Sequence, residues 1–250
     1  MTPNEPTDRT TIVVGASRGL GRGIATALAD AGAPVISVAR TETALAELAG
    51  GAGNVTPEVA DATDPMVAGT LLDRYDPSTV VVVAGATPVM RPLQDHTWET
   101  FSVNWHTDVR VAFHWLRAIL NKPLRPGGRV IVVSSGAAVA GSPLSGGYAG
   151  AKATQRFITA YAQEEANRAG RELTFTAVLP RMTPATDLGR AAIAAYGARD
   201  GHPQDEVVAR FGAPLTPEGA GAAVLELTDR SAAGVAPAYL LTGAGLQELG

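Results

Sequence analysis

Tyr148 and Lys152 stand four residues apart in the segment Tyr-Ala-Gly-Ala-Lys, a spacing that brings two side chains to one face of a helix. An isolated phenol has a pKa of about 10 and exchanges protons poorly at neutral pH. A neighbouring ammonium and the positive end of a helix both favour a phenolate, so this pairing suits a general acid or base. An exposed Tyr and Lys on an ordinary helix would show the same spacing, and the pair gains weight only from its surroundings. Ser134 and Ser135 end the run RVIVVSS, where a hydroxyl could hydrogen-bond a substrate carbonyl from the carboxyl edge of a sheet. Asn104 falls inside the helical stretch 97–120, where an amide is a mediocre helix former and needs a partner.

A second group of residues lies near the N-terminus. The run TTIVVG leads into Gly15-Ala-Ser-Arg-Gly19-Leu-Gly21, and glycines between a strand and a helix let the backbone approach a pyrophosphate at the helix N-terminus. Ser17, Arg18 and Leu20 belong to the same turn. About twenty residues further on, an acidic side chain would hold a ribose 2′-hydroxyl. Ala39-Arg40 stands there instead. Arg40 and Arg18 offer two guanidiniums for a 2′-phosphate, which points to NADP(H) over NAD(H).

The elements that must position these residues are legible as an alternation. Short β-branched runs recur at 34–39, 54–60, 79–85, 129–135 and 173–179, with a weaker one at 239–242. Several are apolar without alternation, as strands buried on both faces are. Alanine-rich, helix-length stretches separate them at 19–31, 42–49, 97–120 and 148–169. The pattern predicts a single-domain α/β fold, a Rossmann-like doubly wound parallel sheet of about seven strands with helices on both faces. Residues 1–10 read as a flexible segment, 11–250 as the domain, and 181–216 as an insertion with helical stretches near 187–197 and 204–211. Insertions of that length serve as lids or binding loops, or are disordered.

Composition excludes other classes. The net charge of −4 comes from scattered charges, which leaves no electrostatic footprint for nucleic acid or an anionic membrane. There are no cysteines and the four histidines are separated, so no disulfide or metal site is expected. The N-terminus lacks the basic and apolar regions of a signal peptide and no apolar run reaches spanning length; a cytoplasmic location is the default expectation.

Together these residues resemble the short-chain dehydrogenase/reductase family, whose glycine spacing is GxxxGxG, from Thr11 to about Thr242. The resemblance implies an NADP(H)-dependent oxidoreductase that interconverts a carbonyl and an alcohol. Tyr148 would protonate the oxygen and Ser135, rather than Ser134, would polarise it. Lys152 would hold the nicotinamide ribose and tune Tyr148, while Asn104 and a water would complete a proton relay. By the same resemblance Asp61 and Ala62 after the third strand, Ala84 and Gly85 after the fourth, and Pro180 with Thr183 after the sixth would contact the cofactor. The helices 97–120 and 148–169 would pair subunits in a homodimer or homotetramer, with Trp98, Phe101, Trp105, Phe113 and Trp115 packing the first of them.

Three departures from the family pattern stand out. Asn-Asn-Ala-Gly is replaced by Val82-Val83-Ala84-Gly85, so valine packing must do what amides usually do. Pro-Gly is replaced by Pro180-Arg181, and the downstream threonine could be Thr183 or Thr186. The chain also ends at Gly250 without the family's common Gly-Gly. A non-catalytic NADP(H)-binding sensor is the alternative function, against which the intact Asn104, Ser135, Tyr148 and Lys152 argue. The substrate is a small carbonyl or alcohol whose identity the residue types do not specify.

Overall fold

A computed structural model describes residues 10–249, so of the expected N-terminal segment only Thr10 is described and the rest lies outside the described residues. The chain runs β1 (Thr11–Val14), α1 (Gly19–Asp30), β2 (Val35–Ala39), α2 (Glu42–Gly51), β3 (Val55–Val59), α3 (Pro65–Tyr75) and β4 (Thr79–Val82). There follow α4 (Trp98–Asn104), a π-helical turn (Trp105–Val109), α5 (Arg110–Asn121), β5 (Gly128–Val133), α6 (Ala137–Ala140), α7 (Tyr148–Arg168) and β6 (Leu173–Pro180). The last elements are α8 (Asp187–Asp200), α9 (Gln204–Ala209), α10 (Pro217–Asp229), β7 (Ala238–Thr242) and β8 (Gly245–Leu249).

Eight described strands form one sheet in the order β3-β2-β1-β4-β5-β6-β7-β8, parallel throughout except for the antiparallel pair β7–β8. The eighth strand is one more than the sequence pattern predicts. Its residues Gly-Leu-Gln-Glu-Leu are mostly exposed or half-buried, so it lacks the continuous apolar run that marks the inner strands. A tight turn joins it to β7, and pairing with β7, not propensity, makes it a strand.

The unalternating strands bury both faces. Ile12 and Val14 of β1, Val80 and Val82 of β4 and Val130 and Val132 of β5 pack with α3, α5 and α7 on one side. Val13, Val81, Ile131 and Val133 pack with α1, α2 and α10 on the other. Val82, the first of the two valines replacing the family's amides, is accordingly part of the core between β1 and β5. β1 lies between β2 and β4, so the chain changes direction across the sheet there, and ligands bind outside the carboxyl ends of strands at such a point. No helix among the described residues is long and apolar enough to cross a membrane.

Candidate active site

The carboxyl ends of β1, β2, β4, β5 and β6 open into a cleft of about 1150 Å³. Every residue read from the sequence as a cofactor contact lines it: Gly15, Ser17, Arg18, Gly19, Leu20, Gly21, Arg40, Asp61, Ala62, Ala84, Gly85, Tyr148, Lys152, Pro180 and Thr183. Ser135 lines it as well, and Asn104 does not.

The β1–β2 side is built largely from backbone. Gly15 has φ +95°, and a Cβ there would lie 2.6 Å from the Ala84 nitrogen; at Gly21 a Cβ would lie 2.0 Å from the Gly15 carbonyl oxygen. The turn is therefore wound tightly against itself and against the end of β4, with no side chain at Gly15, Gly19 or Gly21, where an anion would sit. Arg18 and Arg40 border this cradle with exposed side chains. Asp61 accepts hydrogen bonds from the Thr63 backbone N–H (2.9 Å) and hydroxyl (2.8 Å). Those two bonds, with Arg40 and Arg110 adding attraction, hold its carboxyl below the ordinary carboxylate value.

The β4–β5 side is built mainly from buried side chains. Gly147 precedes Tyr148 and donates its N–H to the Phe101 carbonyl at 3.0 Å; a Cβ on it would come within 2.4 Å of that oxygen. The start of α7 is thereby set directly against α4. Tyr148 is buried, and Lys152 Nζ lies 5.7 Å from the centre of its ring. Ser134 donates to the Lys152 carbonyl at 2.7 Å, which ties its hydroxyl into α7. Ser135, half-buried at the cleft wall, accepts from the Ala137 N–H at 3.2 Å. Thr183 and Thr186 are both buried, their hydroxyls 3.1 Å apart, and both line the cleft. Thr186 also caps α8 by accepting from the Gly189 N–H.

Asn104 sits one layer behind. Its amide donates to the Ala86 carbonyl at 2.7 Å and to Asp108 Oδ1 at 3.2 Å. The residue that meets the lysine is Asp108, whose Oδ2 lies 3.1 Å from Lys152 Nζ with both side chains almost wholly buried. Sequence reasoning missed Asp108. The available signal was a carboxylate four residues after Asn104 within an apolar helix, the i, i+4 spacing at which Asn and Asp side chains meet. The π-helical turn at Trp105–Val109 follows Asn104 directly and carries Asp108 into the cleft wall; such bulges recur at functional sites.

Segment 181–216 forms α8 and α9 and covers the cleft mouth with Leu188, Ala192, Tyr196, Val207 and Phe211. The Tyr196 hydroxyl hydrogen-bonds Ser142 on the opposite rim, and the Arg181 guanidinium lies 5.7 Å from the centre of the Phe211 ring.

The comparisons with known proteins agree with this architecture. The short chain dehydrogenase family matches residues 9–196. A short chain dehydrogenase/reductase from Colletotrichum higginsianum, dpchG, is 34% identical over 53% of the chain. The aligned stretch spans about half of that relative, 54% of its length. A hydroxynaphthalene reductase-like protein, Arp2, from Metarhizium majus is 28% identical over 72% of the chain and 70% of its own. The fold superposes on a single-substitution variant of the actinorhodin polyketide ketoreductase with NADPH at a TM-score of 0.83, 21% identity, covering 96% of this chain and 98% of that one. With a family match that covers most of its length, the chain belongs to the short-chain dehydrogenase family.

Proposed function

We propose that the protein is an NADP(H)-dependent reductase that interconverts a carbonyl and an alcohol, with Tyr148 as the general acid and base. One observation carries this: a single cleft joins a glycine cradle flanked by Arg18 and Arg40 to Tyr148, Lys152 and Ser135. The cradle fits a dinucleotide, because at Gly15 and Gly21 even a methyl group would collide with backbone. The two arginines suit a 2′-phosphate, which planar multi-donor groups bind well. The names of its relatives support carbonyl reduction, among them the polyketide ketoreductase with NADPH, the hydroxynaphthalene reductase-like protein and a carbonyl reductase [NADPH] from Sus scrofa.

When bound, the nicotinamide supplies or accepts the hydride at the substrate carbon. Ser135 orients the carbonyl oxygen by hydrogen bonding, and Tyr148 delivers its phenolic proton to that oxygen as the alcohol forms. Lys152 steadies the cofactor ribose and the Tyr148 oxygen. The apolar residues of α8 and α9 exclude water over the site. The exposed aromatics Trp98, Trp105 and Phe113 on one side and Phe157 and Tyr161 on the other support a homodimer through α4–α5 and α7, since apolar patches of this kind mark association surfaces.

The test is titration with NADPH and NADH, followed by nicotinamide fluorescence, in the parent and in Arg40→Ala. NADPH should bind more tightly, and the variant should lose about tenfold or more in NADPH affinity with little change for NADH. Tyr148→Phe should bind cofactor and lose turnover of a carbonyl panel by about 10²- to 10⁴-fold. Cofactor binding with no turnover of any carbonyl would favour the sensor alternative, and no binding of either cofactor would overturn both.

A further inference from the structure

The chain contains two lysines, Lys122 and Lys152, and the buried one has a buried counterion. Asp108 is 1% exposed and is held from four directions. The Ala86 N–H (2.8 Å) and the Asn104 amide (3.2 Å) donate to its Oδ1, and Gln155 Nε2 donates to its backbone carbonyl at 2.8 Å. Gly85 completes the wall, since a Cβ there would come within 2.7 Å of Oδ2. Oδ2 has no hydrogen-bond donor other than the facing ammonium among the described residues. Lys152 Nζ in turn reaches the Val133 carbonyl at 3.4 Å.

We propose that Asp108 is the positioning residue of Lys152: its carboxylate keeps Nζ an ammonium inside a dry wall and aims the remaining donors at Val133 and at the cleft. This rests on the role given to Lys152 above. A lone buried ammonium is costly and sheds its proton, so a cofactor-holding lysine at this depth needs a fixed counter-charge before any ligand arrives. Burial pushes Lys152 down, but the charges of Asp108 and Tyr148 and the Asp108 hydrogen bond outweigh it, and the net direction is up. Asp108 reaches Lys152 from the π-helical turn and Tyr148 from its own helix; β4 and β5 present backbone and uncharged side chains. The cleft's other charged residues, Arg18, Arg40 and Asp61 on the β1–β2 side and Arg181, Asp187, Asp200 and Arg210 in segment 181–216, do not enter that set.

With only two lysines, the full-length protein labelled with 15Nζ-lysine gives two side-chain resonances, assigned by Lys122→Arg. The parent should keep Lys152 protonated as pH is raised past the ordinary lysine value of about 10.4. In Asp108→Asn the Lys152 midpoint should fall by at least about one pH unit, while the Lys122 midpoint stays put. NADPH affinity, read by fluorescence, should weaken in the variant and more steeply as pH rises. A Lys152 midpoint unmoved by Asp108→Asn would overturn the proposal. Should that variant fail to unfold cooperatively, the parent alone decides, because deprotonation of Lys152 below the ordinary value would overturn it equally. Failure of the parent to bind either cofactor would refute the oxidoreductase reading while leaving the lysine titration to judge Asp108.

Discussion

The two sides of the cleft hold their chemistry by opposite means. On the β1–β2 side the groups that line it are backbone, bare glycines and exposed guanidiniums, placed by the turn after β1 and by the end of β2. On the β4–β5 side they are buried side chains from α7 and the π-helical turn, placed by packing between elements far apart in sequence. The first arrangement tolerates no added atoms but asks little of distant residues. The second tolerates modest changes of shape yet depends on every hydrogen bond that supports its buried charge.

The contrast is sharpest at Gly21. The methyl of Gly21→Ala would lie 2.0 Å from the Gly15 carbonyl oxygen, and Gly15 cannot retreat because it is itself packed closely on Ala84. Destabilisation of about 3 kcal/mol, the upper end of overpacking costs, and loss of measurable NADPH binding are expected from urea unfolding and fluorescence titration. Gly50, in α2 with nothing within 4 Å of an added methyl, is the matched control: Gly50→Ala should stabilise by about 0.5–1 kcal/mol and leave binding intact. Equal effects at the two positions would mean that close backbone approach is not what the nucleotide side requires.

On the β4–β5 side, Gln155→Leu removes the donor to the Asp108 carbonyl while keeping apolar bulk in a fully buried position. The loss should be about 1–3 kcal/mol, as for other buried polar groups deprived of a partner. NADPH affinity should change less than turnover, because the glycine cradle and the arginines are untouched. Unfolding curves and the separate changes in KM and kcat check this. A variant as stable and active as the parent would show that the π-helical turn supports itself.

How much could be read in advance follows the same division. The glycine turn, Arg18 and Arg40 are local patterns, and the structure places all of them on the cleft wall. The apolar strand runs were legible because each buries two faces, and the last strand escaped because only pairing with β7 defines it. Asn104 is legible as a polar residue in a helix that needs a partner, and its partners are the Ala86 carbonyl and Asp108. An α-helical period drawn across 97–120 does not register the inserted π-helical turn. The pairing of Asp108 with Lys152 is set by how the π-helical turn, α7 and the end of β4 pack in space.

The smallest effect tests charge that is buried without compensation, the counter-case to Asp108. His114 on α5 is half-buried. Burial first, then repulsion from Arg110 and Arg117, lowers its pKa from the ordinary 6.5, against a weaker pull from Asp64. The folded state therefore binds a proton at His114 less readily than the unfolded chain. Its contribution is favourable above the unfolded-state value of about 6.5 and is lost as pH falls from there through the lower folded value. His114→Gln should accordingly flatten the acid side of the stability profile, seen as a smaller drop in urea midpoint between about pH 7.5 and about pH 5. A steeper acid loss in His114→Gln than in the parent would show that folding does not lower the proton affinity of this histidine.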